Sequence, residues 1–383
     1  MTSAQVIVLA TPVFLLLIAA EALLGWRRGR QTYRWADALS SIGLGMLSQW
    51  VAVFSRAFTA ALYLLVFEHL ALFRLPTDSP LVWLAALLLY DFCYYWHHRL
   101  GHTCALFWAA HVVHHQSEDY NLSTALRQTG SGWLAGWLFY LPMALLGFPP
   151  LVVGTVALVD LLYQFWVHTQ QVGRLGGFDR WFCSPSNHRV HHAVNDRYLD
   201  RNYGGILMVW DRLFGSFVEE DDAEPIVYGT RKPLRSWNPV SANLEVYAAL
   251  ARDSWRARSW ADKLRVWFKP PGWRPADVAA RWPQPAFDLA RVQRFDPPTT
   301  PAALAAAVAL FSASLGLTAW FLWNAHRLPL VQQLGLAALV LAALWAVGAL
   351  SGREPAAHAP TARTGHPPPV AAAAGPGADR PPA

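Results

Sequence analysis

Histidines are the residues of this chain whose spacing points most clearly to chemistry. Ten of the 14 histidines lie between His97 and His192. They form three runs and one single residue: His97-His98-Arg-Leu-Gly-His102, His111-Val-Val-His114-His115, His168, and His188-Arg-Val-His191-His192. Imidazole is the commonest metal ligand in proteins and suits iron, zinc and copper. A lone histidine such as His168 is more often a core residue, but the repeated spacing favours metal binding.

Helical spacing groups these histidines by face. Residues three and four apart share one side of a helix, which joins His98 to His102 and the members of each HxxHH run. With His168, nine imidazoles then converge: His98, His102, His111, His114, His115, His168, His188, His191 and His192. Nine ligands are too many for one metal ion, so two ions sharing a pocket is the simplest interpretation. We leave out of the site His97, His69, His326, His358 and His366.

Polar neighbours of the histidines continue the same helical stripes. Asp91, Tyr95, His98 and His102 form one stripe, and Asp160, Gln164 and His168 form a second. An acid within a bilayer segment is costly and usually functional. A carboxylate that accepts the free imidazole N–H would orient the ligand. The alternative for Asp91 and Asp160 is a structural hydrogen bond between helices.

Composition indicates the kind of scaffold that positions these side chains. Hydrophobic residues make up 54% of the chain and charged residues 15%, against about a quarter charged in soluble domains. This excludes an ordinary soluble enzyme and a disordered chain. The net charge of +6 fits the lysine and arginine bias of membrane proteins, and we expect no nucleic-acid partner. The three cysteines indicate no disulfide framework.

Seven apolar segments are candidates for membrane helices. They cover residues 5–25, 41–73, 81–96, 131–148, 151–167, 302–324 and 330–350. The first is too long for a signal-peptide core, so we expect it to be retained. The segments 131–148 and 151–167 are separated by Gly147-Phe148-Pro149-Pro150, which predicts a tight helical hairpin.

Charge predicts the orientation of these segments. Arg27, Arg28 and Arg30 follow the first segment and should lie in the cytoplasm. Counting crossings from that point places the end of segment 81–96, the end of the hairpin and the last histidine run on the same side. All dense histidine positions therefore meet at the cytosolic face.

The sequence thus predicts an all-α integral membrane protein, a helical transmembrane bundle with a cytosolic histidine-rich dimetal cap. We divide the chain into N-terminal transmembrane segments (1–80), a catalytic region (81–240), a cytosolic polar segment (241–300), a C-terminal transmembrane hairpin (301–350) and a tail (351–383). The tail is rich in proline and alanine, which predicts disorder.

The histidine motifs, taken with the residues around them, resemble the fatty acid hydroxylase/sterol desaturase superfamily. Two further stretches are similar to its alkylglycerol monooxygenase branch. They are His115-Gln-Ser-Glu118-Asp-Tyr-Asn121-Leu-Ser-Thr-Ala-Leu-Arg127-Gln and Asn202-Tyr203-Gly-Gly-Ile-Leu-Met-Val-Trp210-Asp211-Arg-Leu-Phe-Gly. The likeness covers roughly residues 85–240, which is less than half of the chain.

This resemblance implies a membrane oxygenase with two iron ions held by the nine histidines, and a lipid substrate that enters from the bilayer. It also implies tetrahydrobiopterin as the reductant in the alkylglycerol branch, whereas a redox protein is the other electron donor considered. Asn187 stands where some relatives have another histidine, a departure that could change the hydrogen bonds behind the ligands.

Charged residues beside the second histidine run are further candidates. Glu118 and Arg127 could position a headgroup or cofactor, although an ordinary surface charge is the alternative for each, and we favour it for Glu118. Asn121 and Tyr203 are candidates in the same motifs.

Several functions remain open at this stage. Hydroxylating an alkyl chain requires attack on an unactivated C–H bond, which needs a metal–oxygen oxidant rather than a side-chain acid or base. A lipid monooxygenase is the leading hypothesis, and a sterol or fatty-acid desaturase is the runner-up. A histidine-rich metal transporter and an inactive metal-bound scaffold belong to other classes. Confinement of the histidines to one face argues against transport.

Overall fold

The computed structural model describes residues 3–352, and the regular secondary structure of this part of the chain is helical. It contains fourteen α-helices and short 3₁₀ turns, and within these residues only two isolated β-bridges occur. The prediction of an all-α membrane protein is confirmed. The domain boundaries stay a prediction, and the predicted tail lies outside the described residues from 353 onward.

Within residues 3–352, four helices are long and apolar enough to cross a bilayer. They are α1 (Ser3–Arg27), α2 (Trp35–His69), α13 (Pro301–Asn324) and α14 (Leu330–Leu350). α13 and α14 pack on α2, where the Trp50 ring stacks on Phe321 at a centroid distance of 3.7 Å. The Trp50 indole also donates to the Thr318 hydroxyl over 2.9 Å, which satisfies its polar atom inside this apolar core.

The helix that contains the third predicted segment, 81–96, is longer than the apolar part of the sequence. α3 runs from Pro80 to Thr103, so the polarity that rises after Trp96 does not end the helix. α4 (Ala105–His115) follows at once, because Cys104 has extended backbone angles and turns the chain between the two helices. His98 and His102 therefore stand on the last turns of α3, directly opposite the histidines of α4.

The predicted helical hairpin over 131–148 and 151–167 is wrong in its first half. Residues 132–140 form two 3₁₀ turns, and only Leu141–Leu145 form an α-helix, α6. Gly132 and Gly136 carry the entropy penalty of glycine, and Pro142 removes a backbone donor, so a long helix is not favoured here. The second half is helical: α7 spans Pro150–Trp166, which at 17 residues is short for a full crossing.

The remaining helices form a cap over the ends of α3, α4 and α7. They are α5 (Leu122–Ala125), α8 (Pro185–His191), α9 (Val209–Leu213), α10 (Pro239–Arg256), α11 (Trp260–Phe268) and α12 (Ala276–Arg281). α8 begins at a capped serine, since Ser184 accepts from the Asn187 N–H. This short helix carries the last histidine run into the space between α3, α4 and the end of α7.

Candidate metal centre

Five of the predicted histidines converge in one group at the meeting point of α3, α4 and α8. Each can offer one ring nitrogen, and these nitrogens lie within 4.8 Å of one another. The members are His98 and His102 from α3, His111 and His115 from α4, and His191 from α8. Their spacings of four residues along α3 and α4 place each pair on one helix face, as the sequence predicts.

A second group contains the other four predicted histidines. They are His114 from α4, His168 after α7, His188 from α8 and His192 at the C-cap of α8. Their ring nitrogens also lie within 4.8 Å of one another. The structure therefore brings together all nine predicted residues and separates them into a group of five and a group of four.

Backbone carbonyls fix the tautomers of four of these rings. Each Nδ1 lies within hydrogen-bond distance of a carbonyl oxygen: that of Tyr203 for His98 (2.8 Å), Arg127 for His114 (3.0 Å), Gln164 for His168 (2.8 Å) and Arg201 for His191 (2.9 Å). A carbonyl oxygen only accepts, so Nδ1 carries the proton and each Nε2 keeps a free lone pair. This is the tautomer that binds a metal through Nε2.

The Nε2 atoms lie closer together than is favourable for neutral rings that carry their proton on Nδ1. His114 Nε2 and His168 Nε2 are 3.1 Å apart, although both rings carry their proton on Nδ1. Two lone pairs then face each other with no hydrogen between them. A cation between the nitrogens would turn this repulsion into attraction, so the nine residues fit a pair of metal ions.

The spacing of the nitrogens agrees with this interpretation. Neighbouring Nε2 atoms are 3.1 Å apart for His98 and His111, 3.1 Å for His111 and His115, and 3.2 Å for His115 and His191. In the second group His188 Nε2 is 3.1 Å from His168 and 3.2 Å from His192. Nitrogens at right angles around one ion would be this far apart at a metal–nitrogen distance of about 2.2 Å, close to the usual value.

Burial keeps the second group neutral. Desolvation lowers the pKa of His114 to about 4. The pKa values of His168, His188 and His192 are lowered well below the usual value, first by burial and then by neighbouring imidazoles. At pH 7 these rings are unprotonated and ready to act as ligands.

His97, which the sequence separates from the site, lies outside both histidine groups and lines the cavity beside them. Its ring stacks on Phe139 at a centroid distance of 4.9 Å, beside Gly136. A Cβ at Gly136 would come within 3.3 Å of His97 Nε2. His97 belongs to neither histidine group.

Of the two roles considered for Asp91, the contacts match the structural hydrogen bond and not the acceptance of an imidazole N–H. Its carboxylate accepts from the backbone N–H groups of Ile206 (2.7 Å) and Leu207 (3.2 Å) and from the Trp210 indole (2.8 Å). Asp91 thereby holds the loop whose Tyr203 carbonyl receives His98 Nδ1–H. Its influence on the His98 ring passes through this loop, because the group that accepts from His98 Nδ1–H is a carbonyl rather than a carboxylate.

Arg127 is buried and Glu118 is partly buried, with its side chain 11% exposed, which contradicts the interpretation of Glu118 as an ordinary surface charge. The Glu118 carboxylate accepts from the Phe295 N–H at 2.6 Å and lies 3.8 Å from the Arg34 guanidinium. Arg127 is 2% exposed and donates to the Val113 carbonyl at 2.7 Å. Both residues support the chain around the second histidine run, and their role toward a headgroup or cofactor stays a prediction.

The other polar candidates make hydrogen bonds that hold the backbone or neighbouring side chains in place. Asn121 caps α5 and Asn187 donates to the Asp179 carbonyl at 2.9 Å, so both organise the backbone. The Tyr95 hydroxyl lies 2.9 Å from Ser216 Oγ and accepts from Arg99. The contacts of Tyr203 are also structural, since its hydroxyl donates to the Asp200 carbonyl at 2.7 Å.

Asp160 and Gln164 form a polar group beside His168. The Gln164 amide donates to Asp160 Oδ2 at 2.5 Å and its Oε1 accepts from the Tyr94 hydroxyl at 2.6 Å. Asp160 therefore reaches His168 only through Gln164, whose backbone carbonyl receives His168 Nδ1–H. Gly205 allows this arrangement, since a Cβ there would lie 2.7 Å from Asp160 Oδ1 and 3.1 Å from Asp91 Oδ1.

Sequence reasoning missed the backbone groups that accept hydrogen bonds from the histidine rings. Backbone carbonyls give no signal in a sequence. The two residues that flank Arg201 do give a sequence signal. Asp200 and Asn202 adopt positive φ (56° each), a conformation that aspartate and asparagine tolerate better than most residues. Asp211 was also missed, although it accepts from the N–H groups of Tyr203 and Gly204 at 2.8 and 2.7 Å.

An apolar cavity of about 770 Å³ leads to the histidines, within the roughly 300–1,000 Å³ of ligand sites. His98, His111, His114 and His168 line one part of it, so it borders both histidine groups. Side chains from α1, α2, α7 and α13 supply its apolar wall, among them Ile7, Phe14, Met46, Phe165 and Leu315. Tyr94, Asp160 and Gln164 are polar members of the lining. An apolar chain is the ligand that such a wall favours.

Comparison with known proteins agrees with this geometry. Residues 83–216 match the family described as fatty acid hydroxylase. The chain is 41% identical to human alkylglycerol monooxygenase over 267 residues, which is 70% of this chain and 59% of that protein, and 40% identical over the same length to the zebrafish (Danio rerio) enzyme. It is also 30% identical over 145 residues to an ornithine lipid hydroxylase of Rhizobium tropici, 37% of this chain and 44% of that protein. The chain spans about three fifths of the alkylglycerol monooxygenases that it matches. No solved structure matches it significantly.

Proposed function

We propose that the chain is a membrane-bound di-iron oxygenase that hydroxylates a lipid alkyl chain with O2, and the match of residues 83–216 to the family described as fatty acid hydroxylase supports this. Ether lipids are the leading substrate class, given the similarity to alkylglycerol monooxygenases. The observation that carries the proposal is the pairing of two histidine groups with one apolar cavity.

The nine histidines would hold the metal ions. His98, His102, His111, His115 and His191 would bind one ion, and His114, His168, His188 and His192 the other. When bound, iron supplies the O2-derived oxidant that an unactivated C–H bond requires. The carbonyls of Tyr203, Arg127, Gln164 and Arg201 hold four rings in the ligand tautomer and thereby set the positions of the nitrogens.

The cavity would orient the substrate. Its wall from α1, α2 and α13 belongs to helices that face the bilayer, so an alkyl chain can enter from the lipid and end beside His98, His111, His114 and His168. The apolar lining excludes water from the same space, which keeps a reactive oxidant away from side reactions.

The site is proposed to lie on the cytosolic face. Arg28, which follows α1, donates to the Gln171 carbonyl at 3.1 Å, three residues after His168. The arginine cluster that should remain in the cytoplasm is thus next to the metal centre. This contact supports the orientation independently of any count of crossings.

The electron donor is proposed from the resemblance alone: tetrahydrobiopterin, with a redox protein as the alternative. Iron-loaded protein in detergent, supplied with O2 and an alkylglycerol, should form oxidised lipid with one of these donors. Conversion to an alkene product without oxygen insertion would favour a desaturase instead. Absence of any oxidised product with either donor, from protein that retains its iron, would refute the proposed activity on this substrate.

A further inference from the structure

The hairpin of α10 and α11 carries an exposed apolar surface whose place in the fold points to lipid. We propose that this surface, made by Trp255, Trp260, Leu264 and Phe268, lies in the headgroup region of the leaflet beside the histidine centre and binds anionic phospholipid there. The proposal concerns a contact with the bilayer outside the apolar cavity, and it does not depend on the proposed reaction.

The four side chains form one outward surface. Their exposed fractions are 85% for Trp255, 81% for Trp260, 66% for Leu264 and 64% for Phe268. Residues 260, 264 and 268 are four apart and share one side of α11, whereas Val266 on another side is 1% exposed. Single exposed apolar residues are common, but a contiguous group of this size marks an interaction surface.

A lysine holds the two indoles together. Lys263 Nζ donates to the carbonyls of Ser254 (3.1 Å) and Trp255 (2.9 Å) at the end of α10. It lies 5.9 Å from the Trp255 ring centroid and 5.6 Å from that of Trp260, where cation–π attraction acts. Tryptophan is the residue typical of the membrane–water interface, because its ring is apolar and its N–H is polar.

The excess of basic residues around this surface favours an anionic partner. Between residues 252 and 269 there are six basic residues and two acidic ones. The exposed basic residues are Arg252, Arg258, Arg265 and Lys269. Both acids are engaged, since Asp253 pairs with Arg274 at 2.7 Å and Asp262 with Arg265 at 3.1 Å. Basic side chains around exposed tryptophans are typical of segments that bind anionic lipid headgroups.

The position of α11 places this surface at the edge of the bilayer. The Ala105 N–H donates to the Lys269 carbonyl at 2.9 Å, which ties the end of α11 to the corner between α3 and α4. α3 reaches this corner from a first half with the exposed residues Leu81, Leu84 and Leu88. The corner is therefore where α3 leaves the apolar layer, and α11 lies beside that exit and against the helix that carries His111, His114 and His115.

The experiment places a fluorescent label on this surface in the full-length chain. Leu264→Cys is labelled with bimane and reconstituted into nanodiscs of phosphatidylcholine with or without phosphatidylserine. Asp222→Cys is the water reference, since the Asp222 side chain is 92% exposed in a cap loop, and Leu339→Cys in α14 is the lipid reference. The native cysteines Cys93, Cys104 and Cys183 are buried, and labelled wild-type protein gives the background. Membrane yield and bound metal show that each variant folds.

We expect nitroxide-bearing lipids to quench the label at position 264 and aqueous iodide to quench it poorly. Quenching by labelled phosphatidylserine should exceed that by labelled phosphatidylcholine at least about twofold at low salt, and this preference should vanish at about 0.5 M salt. Iodide quenching equal to that of Asp222→Cys would overturn the proposal. Protection from both quenchers would also overturn it, because a protein partner or a second copy would then cover the surface. Equal quenching by the two lipids would refute the binding of anionic headgroups.

Discussion

Removal of the Asp91 carboxylate should unfold the loop that positions His98. Three donors end on this side chain: the N–H groups of Ile206 and Leu207 and the indole of Trp210. Each buried donor left without an acceptor costs about 1–3 kcal/mol. Asp91→Ala should therefore lower the free energy of unfolding by about 3–9 kcal/mol, a large share of the roughly 5–15 kcal/mol typical of a folded protein.

The conservative variant separates hydrogen bonding from charge and size. Asp91→Asn keeps one side-chain oxygen in place, so it can still serve the Leu207 and Trp210 donors while it loses the Ile206 N–H. The expected loss is about 1–3 kcal/mol. Both variants should release metal from the group that contains His98, because Tyr203, whose carbonyl holds the His98 ring, begins the same loop.

Urea unfolding in mild detergent, followed by tryptophan fluorescence on metal-free protein, measures these differences without the contribution of a bound ligand. Asp78→Asn, at an exposed position, is the matched control and should leave the midpoint unchanged. A midpoint for Asp91→Ala that corresponds to less than about 1 kcal/mol of destabilisation would refute the assigned role of the three hydrogen bonds.

Three further variants test other parts of the account. His114→Ala should abolish lipid oxidation while membrane yield is kept, because folding of the spans depends on apolar packing. The control His358→Ala, outside the described residues, should have no effect. Retained iron with full activity in the His114→Ala protein would show that His114 is not a metal ligand. Ala157→Trp should fill part of the cavity lined by Ala157 and lower the oxidation of long alkyl chains while bound metal stays at the wild-type level; unchanged turnover would mean that substrate does not occupy this part. Asp196→Cys, at a side chain that is 92% exposed near His191, should resist impermeant thiol reagents added outside intact cells, and rapid labelling there would reverse the proposed topology.

The nine histidines could be predicted from the sequence because their spacing on helices brings them to shared faces. The division into five and four could not, since it depends on how α8 enters between α3, α4 and the end of α7. Histidines four residues apart stay in one group, as their spacing predicts: His98 with His102, His111 with His115, and His188 with His192. Spacing does not tell which group receives the remaining histidine of each HxxHH run, because the places of His114 and His191 depend on how α8 packs against α3 and α4.

Local composition misled at two places for physical reasons. Residues 131–148 are apolar enough for a helix, but Gly132, Gly136 and Pro142 oppose one, and hydropathy does not register backbone preference. Glu118 follows a polar stretch and was assigned to the surface, whereas Arg34 from a distant segment and the Phe295 N–H cover it. Backbone conformational preference decides the structure in the first case, and contacts with distant parts of the chain decide it in the second.

Metal content tests the central claim most directly. Elemental analysis of detergent-purified protein from iron-replete cells should find about two metal ions per chain, in keeping with one ion for each histidine group. Anomalous scattering from crystals should then show one peak among His98, His102, His111, His115 and His191 and another among His114, His168, His188 and His192. A reproducible stoichiometry near zero in folded protein, or a single peak outside both groups, would contradict the account.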